Sequence, residues 1–170
     1  KIDPTTKIQR VLNQVGSAAK CSKKVFTLSR APGSSEKTPH ASTIIGADKI
    51  TQLVQQGCNT VAVSNPLTAL IAACRELGIQ RLAVLSPYLA SVSEHLRAQV
   101  HKAGIETPIF GTFNEQIEAN VVRISGDAIS NAAVQLGQQN KCDGVFLSCT
   151  NLRTLDVIAN IETSNSLITL

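Results

Sequence analysis

The alternation of short apolar runs with longer amphipathic segments constrains the fold of this chain more than any other feature. Runs rich in apolar and β-branched residues predict strands, and the segments between them repeat apolar residues at helical spacing. The predicted strands are residues 24–28, 59–63, 81–85, 105–110 and 144–147, and the predicted helices are residues 42–56, 66–77, 91–103, 127–138 and 152–161. Strands that alternate with helices indicate an α/β fold with a mainly parallel sheet.

Two helix starts carry capping signals. Pro66 suits a first helical position, where its missing amide hydrogen is not needed, and either Asn65 or Ser64 before it can cap the helix. Ser91 and Glu94 have the spacing of a capping box. These signals support helices that begin near residues 66 and 91.

Composition excludes several classes of protein. A hydrophobic content of 43% in 170 residues is enough for a core. The net charge of +4 comes from scattered cations and only 3% of residues are aromatic, so we expect a solvated surface and no nucleic-acid partner. No apolar run reaches membrane length, so we expect no membrane partner.

The five cysteines form no C-x-x-C pair, and their odd number favours free thiols in a reducing compartment, which predicts a cytoplasmic protein. Cys74 lies on the apolar face of the helix predicted at 66–77, which indicates a core residue. Cys58 and Cys142 lie just before predicted strands, and we interpret both as structural. Cys149 differs from these three because it follows a strand.

Ligands of open α/β sheets bind at the carboxyl ends of strands, and Cys149 lies at such an end. With a helix predicted from Leu152, unpaired helix amides near Cys149 would favour the thiolate and also bind a carboxylate. A thiolate in that position can act as acid, base or nucleophile. Position alone also allows a half-buried small residue that ends a strand.

Three segments carry a family resemblance in collinear order. They are SCTNLRTLDVIANIE at 148–162, SNPLTALIAACRELGIQRLAVLSPY at 64–88 and IFGTFNEQIEANVVRI at 109–124, to which APGSSEKTPHAST near Ala31 adds. The chain resembles the aspartate/glutamate racemase superfamily in its maleate isomerase and arylmalonate decarboxylase branch, and within it the ectoine-utilisation racemase-like proteins. The cysteine motif is the more specific part of this resemblance, because the α/β pattern is shared by many folds.

The resemblance implies two pseudo-symmetric lobes, each a parallel sheet flanked by helices, with the active site between them. Residues 1–63 and 164–170 would form the first lobe, and residues 64–163 would form the second lobe, which carries Cys149. The resemblance assigns Cys149 as a catalytic residue. It assigns substrate contacts to Tyr88 and Asn114, and polar contacts around a carboxylate to Thr150 and Asn151.

The function implied is that of a cofactor-independent isomerase or racemase of a small carboxylate or dicarboxylate, acting through a cysteine thiolate. Two alternatives remain: a malonate-type decarboxylase in which one cysteine donates a proton, and a carboxylate-binding module without catalysis. We expect no cofactor and no metal, because no G-x-G-x-x-G motif is present and the three histidines lack ligand spacing. We expect a homo-oligomer, a dimer or larger.

The sequence departs from the family pattern after the strand predicted at 59–63, where a first-lobe cysteine is expected and Ser64 follows Val63 directly. Either the protein uses a single cysteine, or the chain is discontinuous there and between Thr163 and Ser164. The second explanation predicts α-carbon separations far above ~3.8 Å at these junctions.

Overall fold

The computed structural model describes residues 64–139 and 141–170, together with Asp48, Lys49, Thr51, Gln52 and Gln56. The chain divides into two compact units, Lys1–Leu77 and Gly78–Leu170. The strands predicted at 24–28 and 59–63, most of the helix predicted at 42–56, and Cys58 lie outside the described residues.

The first unit contains helix α1, Pro66–Leu77, with the predicted bounds. The Asn65 side chain accepts a hydrogen bond from the Thr68 amide, and the Thr68 hydroxyl accepts one from the Asn65 amide, both at 3.0 Å. This reciprocal pair satisfies amides that the first helical turn leaves free, so the predicted cap is confirmed. Cys74 is fully buried, as its place on the apolar face predicted.

The second unit is an α/β sheet with helices between its strands. In chain order its elements are β1 (Arg81–Tyr88), α2 (Ala90–Lys102), β2 (Glu106–Glu115), α3 (Glu118–Val121), α4 (Gly126–Gly137), β3 (Gly144–Leu147), α5 (Ile158–Asn165) and β4 (Ile168–Thr169). The strands are ordered β2-β1-β3-β4, and all three pairings are parallel. The predicted α/β class with a parallel sheet flanked by helices is confirmed.

Strand β1 is buried on both sides, as expected for a central parallel strand. On one face Ser86 accepts a hydrogen bond of 2.8 Å from Ser93 of α2. On the other face Leu85 belongs to a buried cluster that includes Ile129 and Ala133 of α4. Packing on both faces fixes the strand whose carboxyl end carries Tyr88.

Several predicted boundaries differ from the structure, since β1 runs to Tyr88 rather than residue 85 and β2 runs to Glu115 rather than residue 110. Helix α2 begins at Ala90 after Leu89, which makes no side-chain cap, so Ser91 and Glu94 do not form a capping box at the helix start. The last helix begins at Ile158 rather than Leu152, because the intervening residues form turns. The apolar spacing misled the prediction, since Leu155 is 86% exposed and Leu152 is 4% exposed, so the two do not share a buried face.

The carboxyl-terminal residues bear on two further expectations. Helix α5 runs unbroken through Thr163 and Ser164, which contradicts the discontinuity predicted there, while the junction after Val63 lies outside the described residues. Strand β4 pairs with β3, and residues 164–170 lie in the same compact unit as Cys149. The predicted division into lobes stays a prediction.

Within the part of the chain that the structure describes, no helix combines the length and the apolar composition that crossing a bilayer requires.

Candidate active site

Parallel strands end at the same edge of their sheet, so the residues that follow β1, β2 and β3 lie near one another. Tyr88 ends β1, and Cys149 follows β3 by two residues. The Ser148 amide donates to the Leu85 carbonyl at 2.8 Å, which continues the strand pairing beyond the last residue of β3. This backbone contact holds Cys149 against the end of β1.

The Cys149 sulfur has two polar neighbours. The Tyr88 hydroxyl lies 3.2 Å from Sγ, and either group can donate. The Asn151 amide donates to Sγ at 3.3 Å. Residues that the resemblance assigned to one site, Cys149, Tyr88 and Asn151, are therefore brought together by the fold.

The local cause of this arrangement differs from the prediction. The chain turns directly after β3, with the Cys149 amide donating to the Leu147 carbonyl at 3.0 Å. Because α5 begins only at Ile158, no helix amino terminus lies immediately after Cys149. A single turn amide and a phenol supply the polar contacts that we had expected from helix amides.

Glu118 is the residue that the sequence analysis missed. The Tyr88 hydroxyl lies 3.1 and 3.0 Å from its two carboxylate oxygens. The Asn151 side-chain amide also donates to this carboxylate. In the sequence, Glu118 is one acidic residue in the polar segment after β2. Its neighbours in the sequence do not indicate that it contacts residues about thirty positions away in both directions.

Tyr88 links the sulfur to the carboxylate. Its side chain is 9% exposed. Burial, with additional contributions from Cys149 and Glu118, raises the pKa of Tyr88 far above its usual range. The phenol therefore keeps its proton at neutral pH and remains a hydrogen-bond donor with one proton to give.

Asn114 occupies an irregular position in β2. Between the pairs Ser86–Thr112 and Tyr88–Glu115, β2 contains one residue more than β1, which defines a bulge. Asn114 adopts a φ of 59°, a left-handed conformation that asparagine tolerates better than most residues, and it is exposed. The bulge gives a conformational reason for asparagine here, and its predicted substrate contact stays a prediction.

Thr150 is exposed in the turn after Cys149. Its predicted contact with a substrate carboxylate also stays a prediction.

The other described cysteines have different surroundings. Cys74 and Cys142 are buried, at 0% and 7% exposure. Burial raises the pKa of Cys74 to about 11, and burial also raises the pKa of Cys142. Among the described residues, Cys149 is the cysteine that is partly exposed.

A thiol, a phenol and a carboxylate in sequence can pass a proton by successive short steps. The thiol meets the phenol, and the phenol meets the exposed carboxylate of Glu118. Such a chain suits a sulfur that gives or takes a proton during a reaction.

Solved structures similar in fold include enzymes of two activities. Unliganded arylmalonate decarboxylase aligns with a TM-score of 0.56 and 24% identity over 61% of this chain and 45% of that chain. The maleate isomerase of Pseudomonas putida S16 aligns with a TM-score of 0.64 and 16% identity over 78% of this chain and 53% of that chain. A Nocardia farcinica maleate cis-trans isomerase aligns with a TM-score of 0.63 and 20% identity over 78% of this chain and 53% of that chain.

The chain spans about half the length of these structures. A mutant of the Nocardia isomerase carries a covalently bound succinylcysteine intermediate. No curated protein matches the chain.

The sequence matches the family model described as arylmalonate decarboxylase over residues 47–169, which is more than half of the chain. The matched region contains Tyr88, Glu118 and Cys149. The family match agrees with the branch inferred from the sequence motifs, whereas the nearer resemblance to ectoine-utilisation proteins stays a prediction. The chain belongs to the arylmalonate decarboxylase family, within the aspartate/glutamate racemase superfamily.

Proposed function

We propose that this protein is a cofactor-independent isomerase or racemase of a small carboxylate or dicarboxylate, in which Cys149 transfers a proton at the carbon beside a carboxylate. The observation that carries the proposal is the 3.2 Å contact between the Cys149 sulfur and the Tyr88 hydroxyl at the carboxyl end of the sheet. Family membership supports it, and the succinylcysteine intermediate of the Nocardia isomerase mutant shows that an enzyme of similar fold also uses a cysteine, in that case as a nucleophile.

The proton-transfer step balances in either direction. As an acid, the Cys149 S–H bond breaks and its proton joins a carbanionic substrate carbon, which leaves a thiolate. As a base, the thiolate takes a proton from that carbon, and the electron pair is delocalised into the neighbouring carboxylate. Tyr88 stabilises the thiolate by donating its hydrogen bond to sulfur.

A malonate-type decarboxylase is the second candidate, and the family match favours it. In that reaction the bond to one carboxylate breaks, carbon dioxide leaves, and the remaining carbanion takes the proton of Cys149. A single thiol suffices for this chemistry. The described residues hold one partly exposed cysteine, at position 149, which agrees with the one-thiol scheme.

The test is proton exchange by the full chain in heavy water. Maleate, small amino acids and aryl- or alkylmalonates are each incubated with the protein, and products are followed by proton NMR. Deuterium incorporation or cis-trans conversion without gas release supports the isomerase or racemase. Carbon dioxide release with one deuterium in the product supports the decarboxylase and rejects the isomerase.

The binding-module alternative has its own outcome. If one of these carboxylates raises the melting temperature of the protein but undergoes neither exchange nor decarboxylation, the protein binds without catalysis and the proposal is wrong. The absence of both binding and turnover across the whole panel would also contradict the proposed substrate class.

A further inference from the structure

We infer that Glu118 is a positioning residue that sets the protonation state of Cys149 through the hydroxyl of Tyr88, an inference that rests on the proposed function of Cys149. The sulfur, phenol and carboxylate come from three separate segments, which follow β3, end β1 and follow β2. Hydrogen bonds connect them in that order.

The Tyr88 hydroxyl has more hydrogen-bond acceptors around it than protons to donate. Tyr88 has one hydroxyl hydrogen, while the sulfur of Cys149 and two oxygens of Glu118 lie within 3.2 Å of its oxygen. A carboxylate is the stronger acceptor because it carries charge. With Glu118 ionised, the phenol donates to Glu118, and the Cys149 thiol donates to the phenol oxygen.

Formation of a thiolate requires this pattern to reverse. The phenol then donates to sulfur, and Glu118 loses that donor. The S–H bond breaks, the thiol proton leaves to solvent, and a second negative charge forms close to the Glu118 carboxylate, which disfavours the thiolate.

Asn151 supports the same arrangement from the other side. Its side-chain amide donates to Glu118 and its backbone amide donates to the Cys149 sulfur. One residue thus contacts both ends of the chain of hydrogen bonds. This second connection fixes the distance between sulfur and carboxylate.

Another carboxylate nearby is directed elsewhere. One oxygen of Glu115 accepts hydrogen bonds of 2.8 Å from the amides of Gln116 and Ile117, so this side chain closes its own turn. Those amides lower the pKa of Glu115. Glu115 therefore provides a matched control: a carboxylate three residues from Glu118 that bonds to backbone amides.

The experiment measures the rate at which iodoacetamide alkylates Cys149 in the full chain between pH 5 and 10, with peptides resolved by mass spectrometry. Glu118→Gln removes the competing charge and frees the Tyr88 proton for sulfur, so the alkylation rate at pH 7 is expected to rise about tenfold. Glu118→Asp retains the charge and should restore a profile near that of the wild type. Glu115→Gln should leave the profile unchanged.

Tyr88→Phe tests whether the effect passes through the phenol. In that background Glu118→Gln should change the alkylation rate less than about twofold, because the connecting hydroxyl is gone. An unchanged profile in Glu118→Gln, or an equal change with and without the Tyr88 hydroxyl, would overturn the inference. Circular dichroism spectra of each variant verify that the fold is retained.

The two proposals fail separately. A shifted alkylation profile in a protein that neither exchanges nor decarboxylates any carboxylate keeps the role of Glu118 and rejects the proposed function. Turnover by the wild type together with an unchanged profile in Glu118→Gln keeps the function and rejects the role of Glu118.

Discussion

Strand β3 has a cysteine near each of its ends, and the two differ in exposure and in their side-chain contacts. Cys142, before the strand, is 7% exposed, and burial raises the pKa of its thiol. Cys149, after the strand, is partly exposed and contacts a phenol and a backbone amide. We therefore expect the sulfur after the carboxyl end of the strand to be the more reactive of the two.

The two edges of the sheet also close differently. At the amino edge, Asp143 accepts hydrogen bonds from the amides of Gln80 and Arg81 and pairs with the Arg81 guanidinium at 2.7 Å. At the carboxyl edge, β2 is bulged at Asn114, and turns follow Cys149. At the first edge the Asp143 side chain therefore satisfies backbone amides and a guanidinium, while at the second edge the side chains of Cys149, Tyr88 and Glu118 contact one another.

The largest expected effect is the difference in alkylation rate between the cysteines. In the folded protein, iodoacetamide at pH 7.5 should label Cys149 at least about a hundredfold faster than Cys74, whose pKa of about 11 leaves little thiolate. Cys142 should also react slowly because it is buried. In urea the rates should converge, and equal labelling of Cys142 and Cys149 in the folded state would contradict the comparison.

A substitution at the amino edge should affect stability and leave the sulfur of Cys149 unchanged. A Cβ at Gly144 would lie 3.0 Å from the Ile168 carbonyl oxygen and 3.0 Å from the Ile79 side chain. Gly144→Ala should therefore lower the free energy of unfolding by about 1 to 3 kcal/mol in urea denaturation. The alkylation rate of Cys149 should stay at the wild-type value.

Gly126→Ala is the matched control for this substitution. Its Cβ would meet a single side-chain methyl group, on Val157 at 3.1 Å, and alanine favours helices over glycine. Its stability should equal or exceed that of the wild type. A loss as large as that of Gly144→Ala would remove the packing explanation.

The smallest effect concerns the acid dependence of stability. The Arg81 side chain, followed by the Arg81 and Gln80 amides, lowers the pKa of Asp143. Because the folded-state pKa lies below the unfolded value of ~3.9, the stabilisation is present above that value and is lost as the pH falls through the folded pKa. The stability of Asp143→Asn should therefore fall less steeply than that of the wild type between pH 4 and 2. The difference should be small, because the Asp143–Arg81 pair is exposed.

Urea denaturation at pH 7 and at pH 2 measures this change. If the free energy of unfolding of Asp143→Asn falls toward low pH as steeply as that of the wild type, Asp143 contributes nothing to the acid dependence of stability. A change in Cys149 alkylation would show that the two edges of the sheet are coupled.

Much of the fold could be predicted because its signals are local. The apolar run at Gly144–Leu147 defines β3, and the apolar face around Cys74 defines α1. Alternating elements then lead to a parallel sheet, whose geometry places Cys149 at a carboxyl end. The start of the last helix could not be predicted, because Leu152 and Leu155 have helical spacing but opposite exposure.

The site could be predicted only in part, because its contacts join residues that are far apart in the sequence. Tyr88 and Cys149 were identified from family motifs, and no property of either residue alone indicates their mutual contact. The contacts of Glu118 join it to positions thirty and thirty-three residues away, so they depend on the tertiary fold. The left-handed conformation of Asn114 likewise follows from a bulge that only strand pairing creates.

The most direct test of the central claim is the rate of solvent deuterium incorporation into a substrate by Cys149→Ser, with Cys142→Ser as the matched variant at the other end of the strand. A positioned acid or base contributes about 10² to 10⁴ in rate, so Cys149→Ser should lose at least about a hundredfold while Cys142→Ser stays within about threefold of the wild type. Retained exchange in a folded Cys149→Ser variant would contradict the assignment of this sulfur as the proton donor.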